Sequence, residues 1–385
     1  MRLLLFIALF VLVITGCGRW IVGGNPANTP ANNYDIFYRS VQENYAFFAE
    51  KEVNWDSLDR HYRPLVTDSL GNDSLYSILS TMLFALRDGH VNLYVNNDRS
   101  RNADWYLDFP ANFNEGVLRR QYLGKNYQAS GPLANTWLDS VGYMYYGSFS
   151  SAIAKGNLDY VLNRFASSKG LIIDVRDNGG GSLGNVFKLM ERLVPEKTFV
   201  GTIDQKNGPE AGSFSERDSF FITPLVNYNH STEGLSPRKK KKAEAAKRQR
   251  EEFLENPPPV RKGGWAVADS TGMMLHKPIV VLINRHSYSA TNFFAAFMST
   301  LPNVTLIGDR SGGGGGIPVS YELPNGWKIR FSATRTYLPN GQDIENGIEP
   351  DIYQATGPAD ELQGVDAIIE RAKAYILEQA NTEKQ

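Results

Sequence analysis

Two segments of this chain are built alike, and they constrain its fold more than anything else in it. "GLIIDVRDNGGGSLGNVFKLMERLV" begins at Gly170 and "KPIVVLINRHSYSATNFFAAFMSTL" at Lys277. Each opens on a short, wholly apolar run, passes through a polar or glycine turn, and continues as an apolar stripe at helical spacing. An apolar run without alternation reads as a strand buried on both faces, which a parallel sheet covered by helices supplies. "VTLIGD" at 304–309 is a third such strand, and "VGYMYYGSF" at 141–149 precedes a helical stripe at Leu158, Val161, Leu162 and Phe165. Strands alternating with helices predict an α/β core with a mostly parallel sheet.

Upstream the pattern is helical. Phe37, Val41, Tyr45 and Phe48 recur at helical spacing, as do Leu75, Ile78, Leu79, Met82, Leu83 and Leu86. Asp73 or Ser74 suits the N-cap of the second helix, and Gly89 a left-handed cap at its end. "VNLYV" then alternates as a strand does. The segment 96–140 carries only weak strand signals. "SPRKKKKAEAAKRQREEFLENPPP" interrupts the core and reads as a solvated charged insertion.

The first residues, "MRLLLFIALFVLVITGC", join a single positive charge to an apolar stretch too short to span a bilayer comfortably. Ile14, Thr15 and Gly16 before Cys17 resemble a bacterial lipobox. That implies cleavage before Cys17, lipid attachment to it, and anchoring to a membrane in the bacterial cell envelope, facing the periplasm. Cys17 is the only cysteine, so no thiol remains for disulfides or catalysis. Lys and Arg number 40 against 41 Asp and Glu, which gives no global attraction to nucleic acid.

Ser289 stands where an apolar strand gives way to a helix. Helix N-termini stabilise negative charge, so a serine there suits a nucleophile, although it equally suits an N-cap. Three glycines after Asp174–Asn178 let a backbone approach a ligand closely, as in an oxyanion hole; a tight turn with a structural Asp174–Arg176 pair accounts for them as well.

Together with "TLIGDRSGGGGG" and "LPNGWKIRFSATRTYLPNGQDIENGIEPD", these stretches resemble, in order, the tail-specific or C-terminal processing serine peptidases. "NWDSLDRHYRP…LFALRDGHVNLY" is similar to the helical segment that precedes their catalytic core. The resemblance covers roughly residues 34–375 and implies a crotonase-like core of ββα repeats behind a small helical domain. With the N-terminal segment and the charged insertion, the chain divides into signal (1–17), tether (18–33), helical domain (34–95), connecting segment (96–140), peptidase core (141–375, with the insertion at about 236–262) and tail (376–385). The connecting segment is short for the PDZ module many relatives carry.

Of the family's two catalytic versions, one uses a lysine, whose place falls at about Gly314; no lysine lies between Ser289 and Lys328. The tricorn-like version uses serine, histidine and glutamate. By motif these carry over to Ser289, His90 and Glu345, with the amides of Gly180 and Ala290 as oxyanion donors. Gly89 precedes the histidine where tricorn-like relatives carry a small hydroxyl residue. His286 is too close to Ser289 along the chain to face it at a sharp turn. The implied activity is hydrolysis of peptides or unfolded proteins through an acyl-enzyme, with no cofactor and no metal. The alternative is a member that binds peptide or another ligand without cleaving it.

Overall fold

The computed structural model describes residues 26–95, 108–194, 196–224 and 277–382. The signal segment with Cys17 and the charged insertion at about 236–262 lie outside the described residues. Besides short helical segments at Arg63–Leu65, Glu115–Val117 and Leu118–Leu123, the helices in chain order are α1 (Pro30–Asn44), α2 (Trp55–Tyr62), α3 (Asn72–Phe84), α4 (Lys155–Arg164), α5 (Leu183–Met190), α6 (Ala290–Met298), α7 (Pro358–Leu362) and α8 (Ala367–Thr382). The strands are β1 (Asn92–Tyr94), β2 (Gln128–Ser130), β3 (Leu133–Leu138), β4 (Val141–Tyr146), β5 (Leu171–Asp174), β6 (Thr198–Gln205), β7 (Asp218–Ile222), β8 (Ile279–Ile283), β9 (Val304–Gly308), β10 (Pro318–Glu322), β11 (Lys328–Ser332), β12 (Thr334–Tyr337) and β13 (Ile352–Tyr353).

These elements form two compact units. The first takes the described part of Met1–Ala103 with Lys206–Phe214 and Pro318–Ala333. Helices α1–α3 pack their apolar stripes on a small antiparallel sheet of order β1-β11-β10, and Phe37, Val41, Leu79, Leu83, Leu93, Ile329 and Phe331 share its core. The pairing of β1 with β11 was not visible in the sequence, because it joins residues more than two hundred positions apart. α1 begins at Pro30, with Thr29 accepting a hydrogen bond from the Asn32 N–H, so the last residues assigned to the tether are helical. α3 starts after Gly71 rather than after Asp73 or Ser74, and Asp73 sits in its first turn, where a negative charge favours the helix dipole. α3 also ends earlier than Gly89 suggests. Its last turn tightens through Leu86 N–H to Leu83 O and Arg87 N–H to Phe84 O, and the left-handed residue is Arg87, with φ 49°. The Arg87 side chain donates to the Lys51 carbonyl, which offsets part of the backbone cost.

The second unit comprises the described parts of Asp104–Gln205, Ser215–Ile317 and Thr334–Gln385. Its mixed seven-stranded sheet has the order β13-β9-β8-β5-β4-β3-β2, parallel from β13 to β4 and antiparallel from β4 to β2. β2 and β3 precede residue 141, where the sequence reading started the core. Every residue of β5 and β8 is buried. In β8 the pleat sends Val280 and Leu282 toward Ile368, Ile369 and Ala372 of α8, and Ile279, Val281 and Ile283 toward the other face, with Phe294 and Ala295 of α6. Burying each such side chain contributes roughly 1.5–3 kcal/mol, which anchors the strand whose C-terminal end carries the polar turn. A second, antiparallel sheet of order β12-β6-β7 completes the unit.

Candidate active site

β8 ends at Ile283, and after six intervening residues the chain enters α6 at Ala290. The intervening turn is organised by Asn284, whose side chain is fully buried. Its Oδ1 accepts from the N–H groups of Asp177 (3.0 Å) and His286 (3.2 Å), and its Nδ2 donates to Asp177 Oδ1 (2.7 Å) and the Ala111 carbonyl (2.9 Å). Ser287 closes the turn beneath, its hydroxyl donating to the Val175 carbonyl at 2.9 Å. Ser289 follows with φ 56° and ψ −123°, a left-handed conformation that a non-glycine residue adopts only at a cost of order 1–3 kcal/mol. Its side chain makes no capping hydrogen bond to α6. The N-cap role that the sequence left open is therefore not filled by its hydroxyl. The strained strand-to-helix turn has the shape of a nucleophile elbow, formed here without glycines on either side of the serine.

The Asp174–Gly181 loop meets this turn from β5. Asp174 and Arg176 lie beneath it, fully buried, with Arg176 also reaching Asp366 at 2.9 Å. Burial alone would lower the Arg176 pKa; the two carboxylates outweigh it and hold the guanidinium charged. Burial, then Asp174, pushes the Tyr143 hydroxyl well up, so it stays a neutral donor to Asp174 at 2.7 Å. This network is structural. Above it, Gly180 has φ 98°, and a Cβ on it would lie 2.8 Å from Ser289 Cβ and 2.9 Å from Ala290 N, so only glycine fits. The Gly180 N–H donates to Asn178 Oδ1 at 3.0 Å. The Ala290 N–H is one of the first-turn donors that an α-helix leaves without an internal partner.

Glu345 belongs to the same unit as Ser289. It is buried, and its N–H donates to Asp343 Oδ1 at 2.6 Å. The five-glycine run joins the two turns through main-chain bonds: Ser289 N–H to Gly313 O (2.9 Å), and Gly314 N–H to Glu345 O (2.9 Å). A Cβ on Gly313 would lie 2.1 Å from the Glu345 carbonyl oxygen. Side-chain bonds that the sequence did not announce fix the Glu345 turn further. Asn292 Nδ2 donates to the Ile344 carbonyl at 2.8 Å, the Ser311 hydroxyl donates to Asn292 Oδ1 at 2.7 Å, and Ile348 N–H donates back to Ser311 at 2.7 Å. Their available signal was polarity inside apolar surroundings, such as Asn292 before two phenylalanines.

His90 belongs to the first unit. It is 3 % exposed, its N–H donates to Asp88 Oδ1 at 2.7 Å, and its Nδ1 lies 3.3 Å from Ser332 Oγ. Among the other histidines, His286 Nδ1 is 3.1 Å from Asp177 Oδ1 and His61 packs edge-on against Tyr62, while His230 and His276 lie outside the described residues. Asp351 accepts from Leu306 N–H at 2.7 Å, a sheet contact, and Glu349 is an exposed partner of Arg310. Among the described residues no cluster of three or more His, Cys, Asp or Glu could hold a metal.

The model of peptidase family S41 matches residues 140–354, more than half of the chain. The chain belongs to peptidase family S41. The tricorn protease C1 domain matches residues 26–84, ahead of that family region. A carboxyl-terminal-processing protease of Synechocystis is 24% identical over 233 residues, which are 57% of this chain and 42% of the relative. A carboxy-terminal-processing protease of Bartonella bacilliformis is 32% identical over 94 residues, 24% of this chain and 22% of that one. The chain thus spans less than half the length of these curated relatives. Among solved structures, a candidate peptidase of Parabacteroides merdae is 37% identical, covers 91% of this chain and 98% of its own, and superposes with a TM-score of 0.73. Mature CPAF shares the fold at 13% identity, with 93% and 98% covered and a TM-score of 0.56.

Proposed function

We propose that this family S41 chain is a serine-type endopeptidase of the tricorn-like kind, acting on peptides or unfolded proteins with Ser289, His90 and Glu345 as its catalytic triad. The observation that carries the reading is the strained Ser289 at the start of α6, next to the Ala290 amide and pressed against a glycine loop. In the proposed reaction Ser289 Oγ attacks the scissile carbonyl carbon while neutral His90 takes its proton. The carbonyl oxygen becomes an oxyanion, and the C–N bond breaks as His90 returns the proton to the leaving amine. Water then opens the acyl-enzyme by the same steps. Glu345 stabilises the imidazolium and helps orient it. Each oxyanion donor contributes roughly 3–4 kcal/mol. Ala290 N–H is one donor, and Gly180 N–H becomes the second on leaving Asn178.

The lysine-dependent version of the family fits this chain poorly. Gly314 has φ 75°, and a side chain there would start 2.5 Å from the Tyr288 ring. Lys328 is the exposed first residue of β11, 3.6 Å from Glu322. Its ammonium is paired and solvated rather than desolvated as a general base requires. We further propose that the chain has the crotonase-like core of ββα repeats behind a helical N-terminal domain. We also propose that Cys17 carries the lipid anchor to the bacterial envelope, with the domain facing the periplasm. Processing at carboxyl termini, which the curated relatives are named for, is the first substrate mode to test.

The engaged Gly180 amide favours one alternative, a member that binds peptide without cleaving it. A serine-reactive fluorophosphonate separates the two. Labelling of the folded protein at Ser289, lost with cleavage of a denatured protein in Ser289→Ala, supports the peptidase. A folded protein that neither labels nor cleaves supports the binding reading.

A further inference from the structure

We propose that Ser332 is a positioning residue that sets the tautomer of His90; this rests on His90 being the catalytic base. The pairing of β1 with β11 aligns Asn92 with Arg330 and Leu93 with Ile329. Continuing that antiparallel register two places back brings His90 opposite Ser332. There the Ser332 hydroxyl lies 3.3 Å from His90 Nδ1, and both residues are buried. Ser332 cannot shift easily. It ends the central strand of its sheet, pairs with Pro318 on the far side, and its carbonyl accepts from the Ala46 N–H at 3.0 Å. His90 is tied at the other end by its own N–H to Asp88.

A neutral imidazole carries one N–H, and the hydrogen bond at one nitrogen decides the state of the other. With Nδ1–H donating to Ser332 Oγ, the lone pair is on Nε2, where a general base needs it. The opposite assignment, Oγ–H donating to Nδ1, would put the proton on Nε2 and leave no site for the Ser289 proton. When His90 accepts that proton on Nε2, Nδ1–H remains a donor, so the Ser332 contact serves both states without rearrangement. A hydroxyl aligns the ring but brings no charge, so charge stabilisation of the imidazolium stays with the carboxylate of Glu345.

The experiment uses the full chain labelled with 15N at histidine, with the His90 signals assigned by their loss in His90→Gln. The wild type is expected to show a pyrrole-type Nδ1 and a pyridine-type Nε2. In Ser332→Ala the two tautomers mix, and kcat falls about tenfold to a hundredfold with KM unchanged. The acid limb of the pH profile moves with it, and Ser332→Thr restores both. A protonated Nε2 in the neutral wild type overturns the proposal, and so do unchanged ring shifts in Ser332→Ala. If that variant does not fold, the wild-type spectrum decides alone. Full activity in His90→Gln would instead remove the base assignment, which the spectrum does not address.

Discussion

Gly313→Ala tests the main-chain link between the Ser289 turn and the Glu345 turn. Gly313 has φ 80°, and an alanine there carries two costs. The left-handed backbone costs roughly 1–2 kcal/mol. The new Cβ, 2.1 Å from the Glu345 carbonyl oxygen, must also force the strands of the link apart by more than an ångström. That breaks or weakens the two bonds at 2.9 Å, Ser289 N–H to Gly313 O and Gly314 N–H to Glu345 O, at about 0.5–1.5 kcal/mol each. Gly341→Ala is the control: its φ is 85°, yet nothing lies within 4 Å of the added Cβ, so it carries the backbone cost alone. Gly313→Ala should therefore lose about 1–3 kcal/mol more than Gly341→Ala, or several degrees more in Tm at about 2–4 °C per kcal/mol. Displacement of the reacting groups by an ångström should cost it about a hundredfold in kcat, and the control none. Thermal unfolding of both variants beside peptide hydrolysis provides the check. Equal loss of Tm in the two, with full activity in Gly313→Ala, would refute the reasoning.

Three further outcomes follow from the same geometry. Ser289→Gly should abolish hydrolysis while raising stability by about 1 kcal/mol, since glycine accepts φ 56° without strain; a lower urea midpoint than wild type would contradict the strain. Asp366→Ala leaves Arg176 with one of its two buried partners and removes the bonds that Asp366 accepts from Ile368 and Ile369 N–H, so a loss of about 3–5 kcal/mol is expected in urea unfolding. Burial pushes Tyr146 up to about 12, so the folded state keeps its proton where the unfolded state, near 10, has lost it. Stability from this group is full below pH 10 and is lost as pH rises toward 12. Tyr146→Phe should flatten that alkaline decline in urea midpoints, and an unchanged slope would count against it.

The sequence made the second unit's architecture readable because its information is local. β5 and β8 are unbroken apolar runs, and α6 begins at Ala290, next to the serine that the strand–helix junction singled out. What escaped depends on contacts distant in sequence. β11 was not legible as the partner of β1, nor Ser311 as the link from Asn292 to Ile348, because neither pairing leaves a periodic trace. Gly89 misled for the opposite reason. A local preference for glycine pointed to it, while the tightened last turn of α3 put the left-handed residue at Arg87. The Gly180 amide shows a finer limit: composition marks a loop able to approach a ligand, but not that a neighbouring asparagine already takes its hydrogen.

The link through the five-glycine run is made of main-chain atoms at Ser289, Gly313, Gly314 and Glu345. Its geometry does not depend on which side chains line the surrounding surface. In a saturation library, intolerance at the centre of this link should therefore concentrate at the glycines. Substrate preference could then be retuned around a fixed reaction geometry, a separation useful to anyone redesigning the protein.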